Sequence, residues 1–166
     1  MRDIKQLLAD SNVVLADGAM GTQLSARGLP GGEAPERWNL DRPDQVQAVA
    51  ADYAAAGAQI VLTNTFGGSR PKLAKAGLGD AVEDVNRRGA ELARAGAGEH
   101  VCVLASVGPT GELPAPLGAM TEDEMVEAFA EQVAAALAGG ADGVAVETMT
   151  DLSEATAAVR AVRQAG

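Results

Sequence analysis

The sequence predicts an α/β fold of four repeated βα units, with parallel strands side by side and helices outside, and three observations carry that expectation. Four short apolar runs, Val13 to Ala16, Ile60 to Leu62, Val101 to Ala105 and Val144 to Val146, read as strands buried on both faces. Their first residues lie 47, 41 and 43 positions apart, the length of a strand, a loop, a helix and a return. Two of the returns are alike: "AAAGAQIVLTNT" from Ala54 and "LAGGADGVAVET" from Leu137 both run small residue, Gly, Ala, polar residue, strand, Thr. Parallel strands joined this way cross over right-handed, so the functional loops emerge together at their C-terminal ends.

The helices between the strands have readable ends. Pro43 suits the first turn of a helix over Asp41 to Ala56, with Val46, Val49, Ala50 and Tyr53 on one face and Gly57 stopping it. The next stretch predicts two helices, a short one capped by Ser69 and ending near Gly77, and a longer one from Asp80 through Val82, Val85 and Leu92 to Gly96. Thr121 and Glu124 have capping-box spacing ahead of a stripe of Met125, Phe129, Val133 and Leu137, which ends at Gly139 and Gly140. Asp151 and Glu154 repeat the device for a last helix with the stripe Leu152, Ala155, Val159 and Val162.

Composition narrows the function. A formal charge of −10, with no basic run, opposes binding to nucleic acid or an anionic membrane. A single cysteine makes neither an internal disulfide nor a multi-thiolate zinc site. No stretch reaches the roughly 18 apolar residues of a membrane span, and "MRDIKQLLADSN" carries charge where a signal peptide is apolar, so a cytoplasmic protein is expected. The 166 residues suffice for one domain with a real core, but fall short of the about 250 of a full eight-unit α/β barrel.

Each apolar run ends in a polar residue and a turn-rich segment: Asp17 in "DGAMGT", Asn64 in "TNTFGGSR", Ser106 in "SVGPTGELP" and Glu147 in "ETMTD". A parallel sheet brings the four together. Two carboxylates facing one pocket, Asp17 and Glu147, either neutralise and orient an ammonium group or do acid and base work. Gly18, Ala19, Met20, Gly21 and Thr22 offer consecutive backbone N–H groups for a carboxylate or other anion. Ammonium beside carboxylate describes an amino acid. An acidic residue at a strand end also serves as a helix cap, but Thr150 and Asp151 cap better than Glu147 would. Asn64 and Ser106 equally suit tying down neighbouring loop backbone.

Other features are weaker. "GAMGT" lacks the Gly-Lys-Ser/Thr ending of a phosphate loop. His100 and Cys102 share a strand face as i and i+2, but sit where a strand begins and lack a third ligand, which favours a buried structural cysteine beside a surface histidine. Trp38 either lids the pocket or packs on the rim.

The segments "DGAMGT", "WNLDRPDQV", "AAAGAQIVLTNTFGGSRPKL", "GPTGELPAPLG" and "GGADGVAVETMTDLSEA" together resemble the homocysteine S-methyltransferase family, and within it the N-terminal homocysteine-binding module of cobalamin-dependent methionine synthases. The resemblance covers nearly the whole chain. It implies a TIM-type (β/α)8 barrel of which residues 1–166 are the N-terminal (β/α)4 half, and methyl transfer to the thiol of homocysteine, giving methionine. It also implies that Asp17 and Glu147 hold the substrate's amino group and the Gly18 to Thr22 backbone its carboxylate. The methyl donor is then methylcobalamin, a methylfolate, betaine or S-methylmethionine. In the family a zinc ion activates the thiol, held by one cysteine after the sixth strand and a pair after the eighth; none of these is present, and Cys102 corresponds to none of them. The expectation is the homocysteine-recognising half of a zinc-dependent enzyme, not competent alone, partnered by a C-terminal half-barrel or by a second copy of this chain. Two alternatives stand beside it: a self-associating half-barrel that binds an amino acid without catalysis, and a different α/β enzyme using Asp17 and Glu147 as acid and base.

Overall fold

Short β-branched runs flanked by alanine-rich helices favour a narrow parallel sheet with closely packed helices on its outer face. The computed structural model describes residues 4–10 and 13–165. Its strands are β1 (Ile60–Leu62), β2 (Cys102–Val107) and β3 (Gly143–Val146), all parallel, in the order β1-β2-β3. The helices are α1 (Ile4–Asp10), α2 (Met20–Ala26), α3 (Trp38–Asp41), α4 (Pro43–Ala55), α5 (Arg70–Lys75), α6 (Val82–Ala97), α7 (Glu122–Ala138) and α8 (Leu152–Ala165). Parallel neighbours need long crossovers, and α6 and α7 lie on those leading into β2 and β3. Ile60 pairs with Cys102, and Leu104 with Gly143.

Alternation along the strands builds two packed faces. Val61, Val103, Ala105 and Val107 are fully buried toward the helices, where Val107 meets Phe129, Met125 and Val133 of α7. Each such large side chain contributes about 1.5–3 kcal/mol by leaving water. On the opposite face Ile60 and Cys102 pack with Leu7 of α1. Outside the sheet α4 packs on α6, α6 on α7 and α7 on α8. None of the described helices is long and apolar enough to cross a membrane.

The structure corrects several sequence expectations. Among the described residues the run Val13 to Ala16 is not a regular strand; it lies beside β1 through a single parallel bridge, Ala16 to Ile60, with Asp17 N donating to Ile60 O at 2.9 Å. Val13 is 81% and Leu15 54% exposed rather than buried on both faces. The run sits at the sheet edge, covered by β1 on one side alone; β3, at the other edge, is likewise only half-buried. β2 extends two residues beyond Ala105, so Ser106 lies within the strand.

The expected helix from Asp41 to Ala56 is interrupted at Arg42 (φ −139°), because a residue preceding proline is pushed out of helical geometry. Ser69 occupies an N-cap position without capping, and its hydroxyl is buried with no partner. Asp80 falls in a 3₁₀ turn, and α6 starts at Val82 and runs past Gly96 to Ala97. Gly96 lies inside the helix at a close approach to α4, where a Cβ would lie 2.3 Å from Gln47 O.

The Thr121–Glu124 capping box forms as expected. The second is only half formed. Asp151 Oδ1 accepts from Ser153 N and Glu154 N, but the Glu154 carboxylate leaves the helix to accept from Thr110 N and Oγ1 at 2.8 and 2.6 Å. The stripe on α8 is partly displaced: Val162 packs on the core as expected, but Ala157, Ala158 and Ala161 are buried against α7, whereas Leu152 is 83% and Val159 43% exposed. Alanines permit the closer helix approach, so they take the packed face.

The repeated returns coincide structurally. Gln59 and Asp142 hold the same place in the two copies. Gln59 N donates to Leu15 O and Gln59 Oε1 accepts from Leu15 N; Asp142 N donates to Val103 O and Asp142 Oδ2 accepts from Val103 N. The glycines two positions before them, Gly57 and Gly140, have φ of 99° and 93° and end the preceding helices.

Candidate functional site

Three side chains meet at the strands' C-terminal ends. Ser106 Oγ on β2 donates to Glu147 Oε1 at 2.6 Å, fixing the carboxylate that follows β3. Asp17 Oδ2 accepts from Leu62 N at 2.8 Å, while Asp17 Oδ1 is buried without a partner. Burial chiefly, with the nearby charge of Glu147 acting in the same direction, pushes the Asp17 carboxyl up to about 6, against the Leu62 N–H that favours its ionised form. Among the described residues neither Asp17 nor Glu147 pairs with a cation.

Beside them opens a cavity of about 570 Å³. Glu147, Ser106, Asn64 and Gly18 to Gly21 line it; Asp17 stands behind, and its neighbour Gly18 and its hydrogen-bond partner Leu62 form the wall. Thr22 is not on that wall. Gly18 to Thr22 is not an anion-binding loop of alternating hand, because neither Gly18 nor Gly21 has a positive φ. Met20 to Thr22 instead begin α2, so their N–H groups are those a helix leaves open in its first turn. Tyr53 Oη donates to Ala19 O at 3.2 Å and holds this turn in place.

Asn64 serves architecture as well as the wall. Its Nδ2 donates to Pro35 O and Asn39 Oδ1 at 2.8 and 2.9 Å, and Asn39 Nδ2 returns to Asn64 O at 2.8 Å. These bonds carry the segment around Glu36 over the cavity, where Glu36 Oε1 accepts from Gly67 N at 2.6 Å. Sequence reasoning missed Glu36, Asn39, Gln132 and the Thr110–Glu154 link, because each pairs with backbone distant in sequence and follows no period. Thr63 and Thr65, alternate residues of "TNT", show the one readable signal: their hydroxyls meet at 2.5 Å and bond to Ser106 N and O.

Trp38 packs rather than lids. It is buried among Leu24, Leu29, Val46 and Val49, and its Nε1 donates to Glu33 at 3.0 Å. His100 lies exposed in the turn before β2, off the strand that Cys102 begins, so the two do not share a strand face. Among the described residues no group of three or more His, Cys, Asp or Glu side chains is placed to hold a metal.

Thr148, directly after Glu147, has φ of +56°. A β-branched residue in this left-handed region is strained. Thr148→Asn, which tolerates the geometry better, is expected to raise stability by about 1 kcal/mol, read as a higher thermal midpoint. A lower midpoint would mean that the threonine side chain stabilises the turn.

The chain matches the family model described as Homocysteine S-methyltransferase over residues 14–165. It is 38% identical to a methionine synthase of Mycobacterium leprae over 99% of this chain and 15% of that protein. To Homocysteine S-methyltransferase YbgG of Bacillus subtilis it is 28% identical over 99% of this chain and 59% of the relative. The metallated crystal structure of the Escherichia coli homocysteine methyltransferase MmuM superposes with a TM-score of 0.84 at 28% identity, over 98% of this chain and 63% of that one. The chain thus spans less than two thirds of the length of each of these relatives.

Proposed function

Since the chain belongs to the homocysteine S-methyltransferase family, we propose that it forms the homocysteine-recognising part of a methyltransferase, residues 1–166 being the N-terminal half of a β/α barrel. The observation that carries the reading is the pair of carboxylates. Asp17 and Glu147 repel each other beside a cavity, one oxygen of Asp17 is buried without a partner, and no described cation answers either. A ligand ammonium beside Glu147 offsets the repulsion and supplies the missing cation.

In this reading Glu147, oriented by Ser106, accepts from the ammonium, and Asp17 adds its charge from behind the wall. The open N–H groups of Met20 and Gly21, on the wall, receive the amino acid's carboxylate. Asn64 keeps the opposite wall closed over the ligand. The complete protein would transfer a methyl group to the thiol of homocysteine, giving methionine. The described residues do not fit a zinc ion, so the reading assigns this part to binding and no chemical step to its side chains. Cover for the exposed edges, including Val13, Leu15 and Leu152, is expected from a C-terminal half-barrel, with the chain alone inactive.

The pH dependence of homocysteine binding tests this. A carboxyl whose folded-state value is raised to about 6 is protonated below that pH and must release its proton to meet an ammonium. Affinity should therefore rise between pH 5 and about 6.5 and level off above, with proton release below pH 6 seen in calorimetry across buffers. Asp17→Asn should flatten the profile. For stability the sign is opposite: the raised value favours the fold at low pH, and that contribution is lost as pH rises from the ordinary carboxyl value of 3.8 through about 6. Binding independent of pH over this window, or a sloping profile in the Asn variant, would remove Asp17 from the site.

A further inference from the structure

The buried face of α7 is apolar except at one position. Of its eight buried residues seven are hydrophobic, and the eighth is Gln132, with 0% exposure. Its amide passes behind the strand ends, off the cavity wall, and Nε2 donates to Thr65 O at 2.7 Å and to Ser106 O at 3.3 Å. The amide can sit only this way round, since turned over it would set Oε1 against two carbonyls. For stability alone this is a poor placement. Thr65 O already accepts from Gly68 N at 2.9 Å and Ser106 O from Thr65 Oγ1 at 2.8 Å, so neither carbonyl depends on the glutamine. Gln132 Oε1 meanwhile is buried with no partner among the described residues, which destabilises. An apolar side chain of similar volume would serve the core at least as well.

What an apolar side chain would not do is hold the peptide of Ser106. β1 ends at Leu62, so on that side Ser106 is held by side chains in place of a strand. Its N–H donates to Thr63 Oγ1 at 3.0 Å, and its carbonyl accepts from Thr65 Oγ1 and Gln132 Nε2. The one hydroxyl hydrogen of Thr65 goes to Ser106 O, so Thr63 is the donor in the 2.5 Å contact between the hydroxyls, and the bonds run one way around a closed ring. Gln132 braces that ring from the outer helix by joining the backbone of Thr65 to that of Ser106. The same Ser106 aims Glu147 through its Oγ at 2.6 Å, a short bond that tolerates little displacement. We propose that Gln132 is a positioning residue for the ammonium site, holding the Ser106 peptide so that Ser106 Oγ keeps Glu147 aimed at the ligand. This rests on the amino-acid reading of the cavity, and the glutamine itself touches no ligand.

The test is Gln132→Met, which keeps the length of the side chain and removes the amide, made in the unaltered protein and in Ser106→Ala. In the unaltered protein calorimetric titration should show L-homocysteine bound about two- to fivefold more weakly. In Ser106→Ala the bond to Glu147 is already gone, so the same change should have no further effect. The thermal midpoint should stay level or rise, because both carbonyls keep a donor and the unpartnered oxygen is removed. In the ligand-free protein the carboxyl carbon NMR resonance of Glu147 should move in the same direction in Gln132→Met as in Ser106→Ala. The proposal is overturned if Gln132→Met binds L-homocysteine as tightly as the unaltered protein, if the loss is equal in both backgrounds, or if the Glu147 resonance stays in place. A Gln132→Met protein that fails to fold or melts lower overturns it as well, by giving the glutamine to the core. Failure of the amino-acid reading shows separately, as absence of L-homocysteine binding to the unaltered protein, and the Glu147 resonance then still decides the part played by Gln132.

Discussion

Glu147→Gln should weaken homocysteine binding by roughly a hundredfold while leaving the fold intact. The carboxylate is half-buried, carries no protein cation and is aimed by the 2.6 Å bond from Ser106 Oγ. Glutamine keeps the shape and an acceptor oxygen for Ser106 but removes the charge. An ammonium would then face a neutral amide, and Asp17 alone would supply the field from behind the wall. Truncating one partner of a desolvated charge pair costs about 2–5 kcal/mol, and the lower half of that range applies to a site open to solvent. Ser106→Ala separates orientation from charge: it leaves Glu147 ionised but unaimed, and should cost about 1 kcal/mol of binding. Calorimetric titration with L-homocysteine reads both. Equal affinity in Glu147→Gln and the unaltered protein would leave the carboxylate pair without a ligand.

Gly68→Ala should be the most damaging of the small-to-larger changes, at about 3 kcal/mol or slightly more, a fall of about 6–12 °C in thermal midpoint. A Cβ there would lie 2.1 Å from Asn86 Oδ1, 2.8 Å from Gln132 Nε2 and 2.8 Å from Thr65 O. Asn86 Oδ1 is buried without a partner, and the other groups are already committed. Gln132 Nε2 donates to Thr65 O at 2.7 Å and to Ser106 O, and Asn86 Nδ2 donates to Gly68 O and Val82 O at 2.8 and 2.7 Å. All of them are buried, so none can turn to water when displaced. Gly31 is the control: an added Cβ meets nothing within 4 Å, so Gly31→Ala should stay within about 0.5 kcal/mol. Similar midpoints for the two variants would contradict this packing account.

The fold and the site were legible to different depths. Periodicity located β1, β3 and the core of β2, and the Thr121–Glu124 box placed α7, because those signals are local and repeat along the chain. The first run, and Leu152 and Val159 on α8, depart from the pattern for a shared reason. Hydrophobicity marks what is able to be buried, but a neighbour decides what is, and Val13 and Leu152 lie where the described chain supplies none. In the site, residue type and strand-end position singled out Asp17 and Glu147, which the structure couples electrostatically. Glu36, Asn39 and Gln132 reach backbone groups dozens of residues away, and a one-dimensional pattern contains no trace of such a partner.

The paired contacts of Gln59 and Asp142 bear on the opposite end of the molecule. β1 has three residues and β3 four, too few rungs to define an alignment by backbone bonding alone. Each side chain grips the neighbouring segment, Gln59 the edge run at Leu15 and Asp142 the start of β2 at Val103. A slip of one residue would turn every side chain to the other face, moving Asp17 or Glu147 away from the cavity. The two clamps thus act as indexing pins: they set at the base how far each strand projects, and so whether the carboxylates arrive level at the rim.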